Sequence, residues 1–85
     1  MRTKQAAQAA LEVAGKASEK YGSFASAHEA LGVACEEWDE LREAVHRNEP
    51  HEIAREAIDL AAVLLRLWAH CQESGHDEFR KRSGF

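Results

Sequence analysis

The chain has 85 residues, of which 15 are Asp or Glu and 11 are Lys or Arg, and its formal net charge is −4. A chain of this length forms one domain, which excludes a two-domain enzyme. Its 45% hydrophobic and 31% charged residues exclude the disordered class, and one Pro, five Gly and one Tyr are too few for a small β-sandwich. We therefore predict a single all-α domain over residues 1–85.

The first predicted element is a helix over about residues 3–21. Its small and aromatic residues recur in alternating steps of three and four, which is the spacing of one apolar helix stripe. This stripe consists of Ala7, Ala10, Ala14, Ala17 and Tyr21. Gly22 supplies the helix end, because glycine readily adopts the left-handed conformation that follows helix C-termini.

The second predicted helix covers about residues 26–47. Ser26 followed by Glu29 is a capping-box pattern, which marks a helix N-terminus. Behind it, apolar residues repeat every 3.5 residues on average, as in a helix that packs along one seam. They are Ala27, Leu31, Ala34, Trp38, Leu41 and Val45.

The third predicted helix covers about residues 50–74 and is followed by a tail over 76–85. Pro50 suits the first helical position, where its missing N–H would have no partner. The main apolar stripe of this helix consists of Ile53, Ala57, Leu60, Leu64, Leu67 and Cys71, and Gly75 closes the helix. Because only a tight turn joins them, the second and third helices should form an antiparallel hairpin.

The third helix carries more apolar surface than one neighbour needs. Largely opposite its main stripe lie Ala54, Ile58, Ala61, Ala62, Leu65 and Ala69. We expect a homo-oligomeric helical bundle, a dimer or a tetramer, to cover this second face. The alternative is that the N-terminal helix covers the second face alone.

No segment of the sequence suits a bilayer or a nucleic acid. The longest apolar run, residues 60–65, is far below the roughly 20 residues that span a membrane. Residues 1–15 lack the apolar region of a signal peptide, so a cytoplasmic location is expected. The net charge is negative, and the basic residues cluster only at 80–82, which argues against a nucleic-acid partner.

Two carboxylate pairs stand on the second and third helices. Glu37 with Glu40, and Glu56 with Asp59, are each three residues apart, so each pair projects to one side of its helix. The pairs lie at similar distances on either side of the turn at residues 48–50, which brings them level in a hairpin. Four converging carboxylates repel one another unless protons or divalent cations offset their charge. Such an oxygen-only ligand set suits Mg²⁺, with Mn²⁺ possible.

The same acids also allow a purely structural interpretation. In a chain with 15 acidic residues, carboxylates three apart arise by chance. They would then be solvated helix faces with cationic partners nearby, such as Arg42 for Asp39 and Arg47 for Glu43.

These motifs resemble the MazG-like all-α nucleoside triphosphate pyrophosphohydrolases. The similarity rests on an ExxE motif, 15 further residues and an ExxD motif. It extends over about 60% of the chain and includes the segments KYGSFASAHEALGVACEEWDELREAV and EIAREAIDLAAVLLRL. MazG-like subunits usually contribute a fourth helix, whereas only ten residues follow Gly75 here. Part of the substrate pocket is therefore expected to come from another subunit or from the first helix.

The resemblance implies a Mg²⁺-dependent hydrolase that converts a nucleoside triphosphate to the monophosphate and pyrophosphate, in house-cleaning of the nucleotide pool. It implies Glu37, Glu40, Glu56 and Asp59 as metal ligands. Glu37 and Glu40 would thereby also be catalytic, and Glu36 would position or deprotonate the attacking water.

Six further residues are candidates for binding the substrate: His28, Lys16, Lys20, Arg55, Arg66 and Trp38. Arg66 lies seven residues after Asp59 on the same helix face, and for it and the other cations a plain surface role is an equal alternative. The resemblance puts His28 near the nucleotide. Trp38 would line the base pocket, although its place in the apolar stripe favours a core position first.

Two other functions remain open at this stage. One is a helical dimerisation or adaptor module without catalysis, in which the acids are surface charge. The other is a protein that binds nucleotides without turning them over.

Overall fold

The computed structural model describes residues 2–73. They form three helices, α1 (Arg2–Tyr21), α2 (Ala27–Arg47) and α3 (Pro50–Glu73), and no strand occurs between residues 2 and 73. The prediction of an all-α protein is confirmed. The predicted end of the third helix at Ser74, its closing Gly75 and the tail over 76–85 with its basic cluster lie outside the described residues. None of the three helices is both long and apolar enough to cross a membrane.

The start of α2 is fixed by two side chains. Ser26 has extended backbone angles, and its Oγ accepts a hydrogen bond from the N–H of Glu29 at 3.1 Å. Glu29 Oε1 in turn accepts a hydrogen bond from the N–H of Ala25 at 2.7 Å. The unpaired N–H of Glu29 in the first turn and the N–H of Ala25 just before the cap thus both gain partners, in the manner of the capping pattern read from the sequence.

Replacing Ser26 by Ala is expected to lower the free energy of unfolding by about 1 kcal/mol, because the N–H of Glu29 loses its acceptor. Urea denaturation followed by circular dichroism measures this change. Ser18→Ala is the matched control, since Ser18 lies within α1 and caps no helix. An equal loss in both variants would show that the cap contributes nothing.

The turn between α2 and α3 is short and sharply defined. Asn48 adopts the left-handed conformation with φ 61°, and its N–H bonds to the carbonyl of Val45 at 3.0 Å. Asn tolerates this conformation better than other residues with a side chain. Pro50 then begins α3, as the sequence predicted.

Helix α3 packs against both α1 and α2. The core cluster is built on Phe24, Ala30, Ala34 and Val63, with Val33, Leu60 and Leu67 packed around it. Most of the buried apolar residues are alanines, and no large side chain among the described residues is fully buried. Small side chains at the contact let the helix backbones approach closely. The larger apolar residues are then not buried between the helices, and several of them stay exposed.

The predicted core stripe of α2 is wrong in half of its positions. Ala34 is buried, but Leu31, Trp38 and Val45 are each more than half exposed. The residues that α2 buries most deeply are instead Ala30 and Ala44. Helix α2 is therefore turned about its axis so that Ala30, Ala34 and Ala44 are buried while Leu31, Trp38 and Val45 point outward.

Candidate metal centre

Three carboxylates from two helices meet at one place. Glu37 comes from α2, and Glu56 and Asp59 come from successive turns of α3. One oxygen of each lies within 4.8 Å of an oxygen of the other two, and among residues 2–73 this is the group of acids, histidines and cysteines that is close enough to hold a metal ion. The spacing of three residues puts Glu56 and Asp59 on one side of α3, and the packing of α2 on α3 adds Glu37.

Two oxygens of this cluster are buried and have no hydrogen-bond partner within residues 2–73. They are Glu37 Oε2 and Glu56 Oε1. Only 6% of the surface of Glu56 is exposed. A buried carboxylate oxygen without a donor loses its hydration and gains nothing in return. The cluster is thus an arrangement that costs free energy in the absence of a cation.

The pKa shifts of the cluster also indicate that its ionised carboxylates are unfavourable without a cation. Burial raises the pKa of Glu37, and the neighbouring carboxylates of Glu40, Asp59 and Glu56 raise it further. Burial also raises the pKa of Glu56, followed by the charge of Glu40, and Arg55 offsets only part of this. Both shifts disfavour the ionised carboxylate, which is the form that a divalent cation binds.

The fourth predicted ligand, Glu40, stands at the edge of this cluster. It is exposed and is not one of the three acids whose oxygens converge. Its charge nevertheless raises the pKa of both Glu37 and Glu56, and a side-chain hydrogen bond between Glu40 and Glu56 adds to the effect on Glu56. Glu36 is also exposed and has the weakest of the charge effects on Glu37. The structure therefore brings together three of the four carboxylates predicted to bind metal.

Two acids outside the cluster form the surface ion pairs that the structural interpretation predicted. Asp39 pairs with Arg42 at 3.4 Å, and Glu43 pairs with Arg47 at 3.8 Å. All four side chains are more than half exposed, so these pairs contribute little to stability.

A groove of about 650 Å³ opens beside the cluster. Glu37 and Asp59 form part of its wall, and most of the remaining wall is apolar. The apolar part is Val13, Ala17, Tyr21, Phe24, Ala25, Val33, Ala62 and Val63. The one sign of this wall in the sequence is the three-and-four spacing of Ala17 and Tyr21, and that spacing does not distinguish a core stripe from a groove.

Two predicted cations lie at the site, and both already have partners. Arg66 lines the groove, donates a hydrogen bond to the carbonyl of Gly22 at 3.1 Å and lies 4.2 Å from the ring centre of Phe24. Arg55 contacts Glu56 at 3.3 Å and Asp59 at 3.9 Å, in addition to a closer pair with Glu52. Arg55 thus partly neutralises the cluster, and Arg66 holds the segment between α1 and α2 against α3.

The other predicted substrate contacts lie outside the groove wall. Lys20 stands over the ring of Tyr21 at 5.1 Å, and Lys16 and His28 are exposed. Trp38 is 53% exposed, so the expectation of a core position is corrected, and it does not line the groove. The reason is the orientation of α2, which turns Trp38 away from both α3 and the acids.

Replacing Glu37 by Gln is expected to stabilise the metal-free protein at neutral pH. The pKa of Glu37 is higher in the folded protein than its unfolded value of 4.5, so the unfolded state loses its proton at a lower pH than the folded state does. The free energy of unfolding therefore decreases as the pH rises from 4.5 through the folded pKa. Gln carries no charge at any pH, so the gain over wild type should grow as the pH rises above 4.5. Urea denaturation in EDTA at about pH 4.5 and about pH 7 measures it.

Glu43→Gln on the same helix is the control for this measurement, because Glu43 is exposed and remote from the cluster. It should leave the pH dependence unchanged. A gain for Glu37→Gln that shrinks with rising pH would contradict the burial of an unfavourable charge at this position.

Comparison of the chain with protein-family models, with curated proteins and with solved structures finds no match.

Proposed function

We propose that this chain is a Mg²⁺-dependent nucleoside triphosphate pyrophosphohydrolase, similar to the MazG-like enzymes, and that Mn²⁺ can replace Mg²⁺. The observation that carries the proposal is the convergence of Glu37, Glu56 and Asp59 with two buried carboxylate oxygens left unpaired. An oxygen-only set of acids is the chemistry that a hard divalent cation prefers. Glu40 would complete the set from the edge of the cluster.

The groove supports a nucleotide as the ligand. Its volume of about 650 Å³ lies within the range of small-molecule sites, roughly 300–1,000 Å³. One part of the wall is acidic and suits cation-bound phosphates, and the other is apolar and includes the rings of Tyr21 and Phe24, which suit a base. Of the predicted substrate-binding residues, Arg66 lines the groove, which supports its proposed contact with the nucleotide.

The proposed reaction is a hydrolysis in which water attacks the α-phosphorus, the bond from that phosphorus to the bridging oxygen breaks, and pyrophosphate leaves with the electron pair. When bound, the divalent ion supplies positive charge against the phosphoryl oxygens and acidifies a water molecule. Glu37, Glu56 and Asp59, completed by Glu40, would hold the ion, and Glu36 on the exposed side of α2 would position the water or take its proton. No nucleophilic side chain takes part.

Cations complete the charge balance of the proposed complex. Arg55 and Arg66 lie at the site and offset charge from the acids and the triphosphate. Lys16, Lys20, His28 and Trp38 remain proposed substrate contacts, and because they lie outside the groove wall they would reach a nucleotide only from its rim.

The proposal includes the architecture predicted for the family. In it, α2 and α3 form an antiparallel hairpin, and copies of the chain assemble into a homo-oligomeric bundle. House-cleaning of the free nucleotide pool is the proposed role, and it places the protein in the cytoplasm, where that pool is found.

A pyrophosphate-release screen tests the proposed function. Canonical and damaged dNTPs and NTPs are incubated with the protein and Mg²⁺, and the products are separated to distinguish monophosphate with pyrophosphate from diphosphate with phosphate. At least one triphosphate should yield pyrophosphate, and EDTA should stop its release. Metal-dependent nucleotide binding without product would replace the proposal by a binding protein, and the absence of both would favour the adaptor module.

A further inference from the structure

Five large apolar residues are exposed on the α2 and α3 pair. They are Leu31, Trp38 and Val45 on α2 and Leu64 and Trp68 on α3, and we call them the outer face. Each is between 49% and 66% exposed. A folded single domain rarely leaves this many large apolar side chains together in water.

The outer face points away from the metal centre. On α2, at about 100° per residue, the exposed stripe through Trp38 lies roughly 140° around the helix from the groove residue Val33 and roughly 100° from Glu37. On α3, Leu64 and Trp68 lie roughly opposite the groove residues of that helix. Because both helices line the same groove, their exposed stripes share the opposite side of the pair.

The spacing on α2 is that of a helix-packing seam. Leu31, Trp38 and Val45 follow one another at intervals of seven residues, so they fall within an arc of about 40°. A straight row of this kind fits against another helix carrying a similar row. A second copy of α2 offers that row, and a two-fold axis brings the two rows together.

We propose that the outer face is the surface through which two copies of this chain associate about a two-fold axis. This inference names the contact surface of the homo-oligomer that is part of the proposed function. It rests on that assembly and not on the proposed hydrolysis. It does not involve the metal or the nucleotide, because the groove lies on the other side of the helix pair and stays open in the dimer.

The exposed area agrees with what a dimer needs. Trp38 is 53% exposed and Trp68 is 66% exposed. Because a tryptophan has a surface of up to about 250 Å², the two together present about 300 Å² of aromatic surface to solvent. The three half-exposed aliphatic residues bring the outer face to on the order of 500 Å². A standard interface buries about 800 Å² per partner, of which about 65% is apolar in homodimers, or roughly 500 Å².

The distribution of charge favours a second copy over a charged partner. Leu41 and Leu60, which helix geometry places between the two exposed stripes, are apolar and partly buried. The nearest charged residues on α2, Asp39 and Arg42, pair with each other at 3.4 Å. The centre of the face therefore carries no charge that would select an acidic or basic partner, and its requirement is an equal apolar surface.

The test is the mass of the full chain in solution with a matched pair of substitutions. Leu31→Glu changes the outer face, and Leu11→Glu changes α1, and the two leucines are 58% and 59% exposed. Light scattering at about 100 µM should give wild type and Leu11→Glu twice the chain mass of 9.5 kDa. Leu31→Glu should raise the dissociation constant at least about 100-fold, because each dimer then buries two charges.

A wild-type mass of 9.5 kDa at every concentration would overturn the inference. So would equal dissociation of both variants, or dissociation of Leu11→Glu alone. Circular dichroism checks that both variants remain helical.

Tryptophan fluorescence gives a second test that needs no substitution. The chain has two tryptophans, and both belong to the outer face. Dilution of the wild-type protein from about 100 µM to below its dissociation constant should shift the emission to longer wavelength and increase acrylamide quenching. Emission typical of exposed tryptophan at all concentrations would exclude burial of this face, even if Leu31→Glu failed to fold.

Discussion

Replacing Asp59 by Asn is expected to reduce kcat for pyrophosphate release by about 1,000-fold, equivalent to about 4 kcal/mol of transition-state stabilisation. Asp59 lies in both the carboxylate cluster and the groove wall. The substitution keeps the shape of the side chain and removes one of the proposed anionic ligands, so the proposed ion would be held poorly and would offset less of the phosphoryl charge. The fold should persist, because the change also removes a repulsive charge.

Asp39→Asn is the matched control for this experiment. Asp39 is also a helical aspartate, but it is 62% exposed and pairs with Arg42 outside the cluster. Its replacement should leave kcat within about twofold of wild type. Steady-state kinetics with Mg²⁺ separates kcat from KM in both variants. Equal activities of Asp59→Asn and wild type would remove the metal centre from the catalytic mechanism.

Addition of Mg²⁺ or Mn²⁺ is expected to raise the melting temperature of the wild-type protein by about 10–20 °C at about 100 times the dissociation constant. Binding at that concentration stabilises the folded state by about 2.7 kcal/mol, and a domain of this size gains roughly 4–8 °C per kcal/mol. The physical reason is that the cation relieves the repulsion among Glu37, Glu56 and Asp59 and gives the buried oxygens a partner.

Glu56→Gln should abolish this rise and, in EDTA, should melt above the metal-free wild type. Burial and the charge of Glu40 raise the pKa of Glu56, so its ionised form destabilises the folded state at neutral pH. Arg55 loses one contact but keeps its closer pair with Glu52. Glu12→Gln on α1, where Glu12 is exposed, should preserve the full metal effect. An unchanged melting temperature of wild type with either cation would favour the adaptor module.

The helices themselves could be predicted from the sequence because their signals are local. The capping residues Ser26 and Glu29, the turn at Asn48 and the first-turn Pro50 act within a few residues of where they stand. The acidic cluster could be predicted from the sequence for a related reason. Glu56 and Asp59 must share a side of α3, and the short turn sets which part of α2 lies beside them.

The rotation of α2 about its own axis could not be predicted in this way. Its apolar residues cover a broad arc, so the sequence allowed either the row through Trp38 or the row through Ala30 and Ala44 to meet α3. In the structure the row of alanines packs against α3, because small side chains allow the two backbones to approach closely. That choice placed Trp38 outside and left Glu40 at the rim of the cluster.

The roles of the cations also depended on tertiary contacts. Arg66 and Arg55 cannot be told apart from the sequence. In the structure Arg66 contacts the carbonyl of Gly22 and the ring of Phe24, whereas Arg55 contacts the acids of α3. The sequence by itself determined the three helices and the pairing of acids along them, because hydrogen bonds and side-chain spacing within a helix are local. Only the tertiary structure decided which acids converge and which apolar residues stay exposed, because both depend on how neighbouring helices fit together.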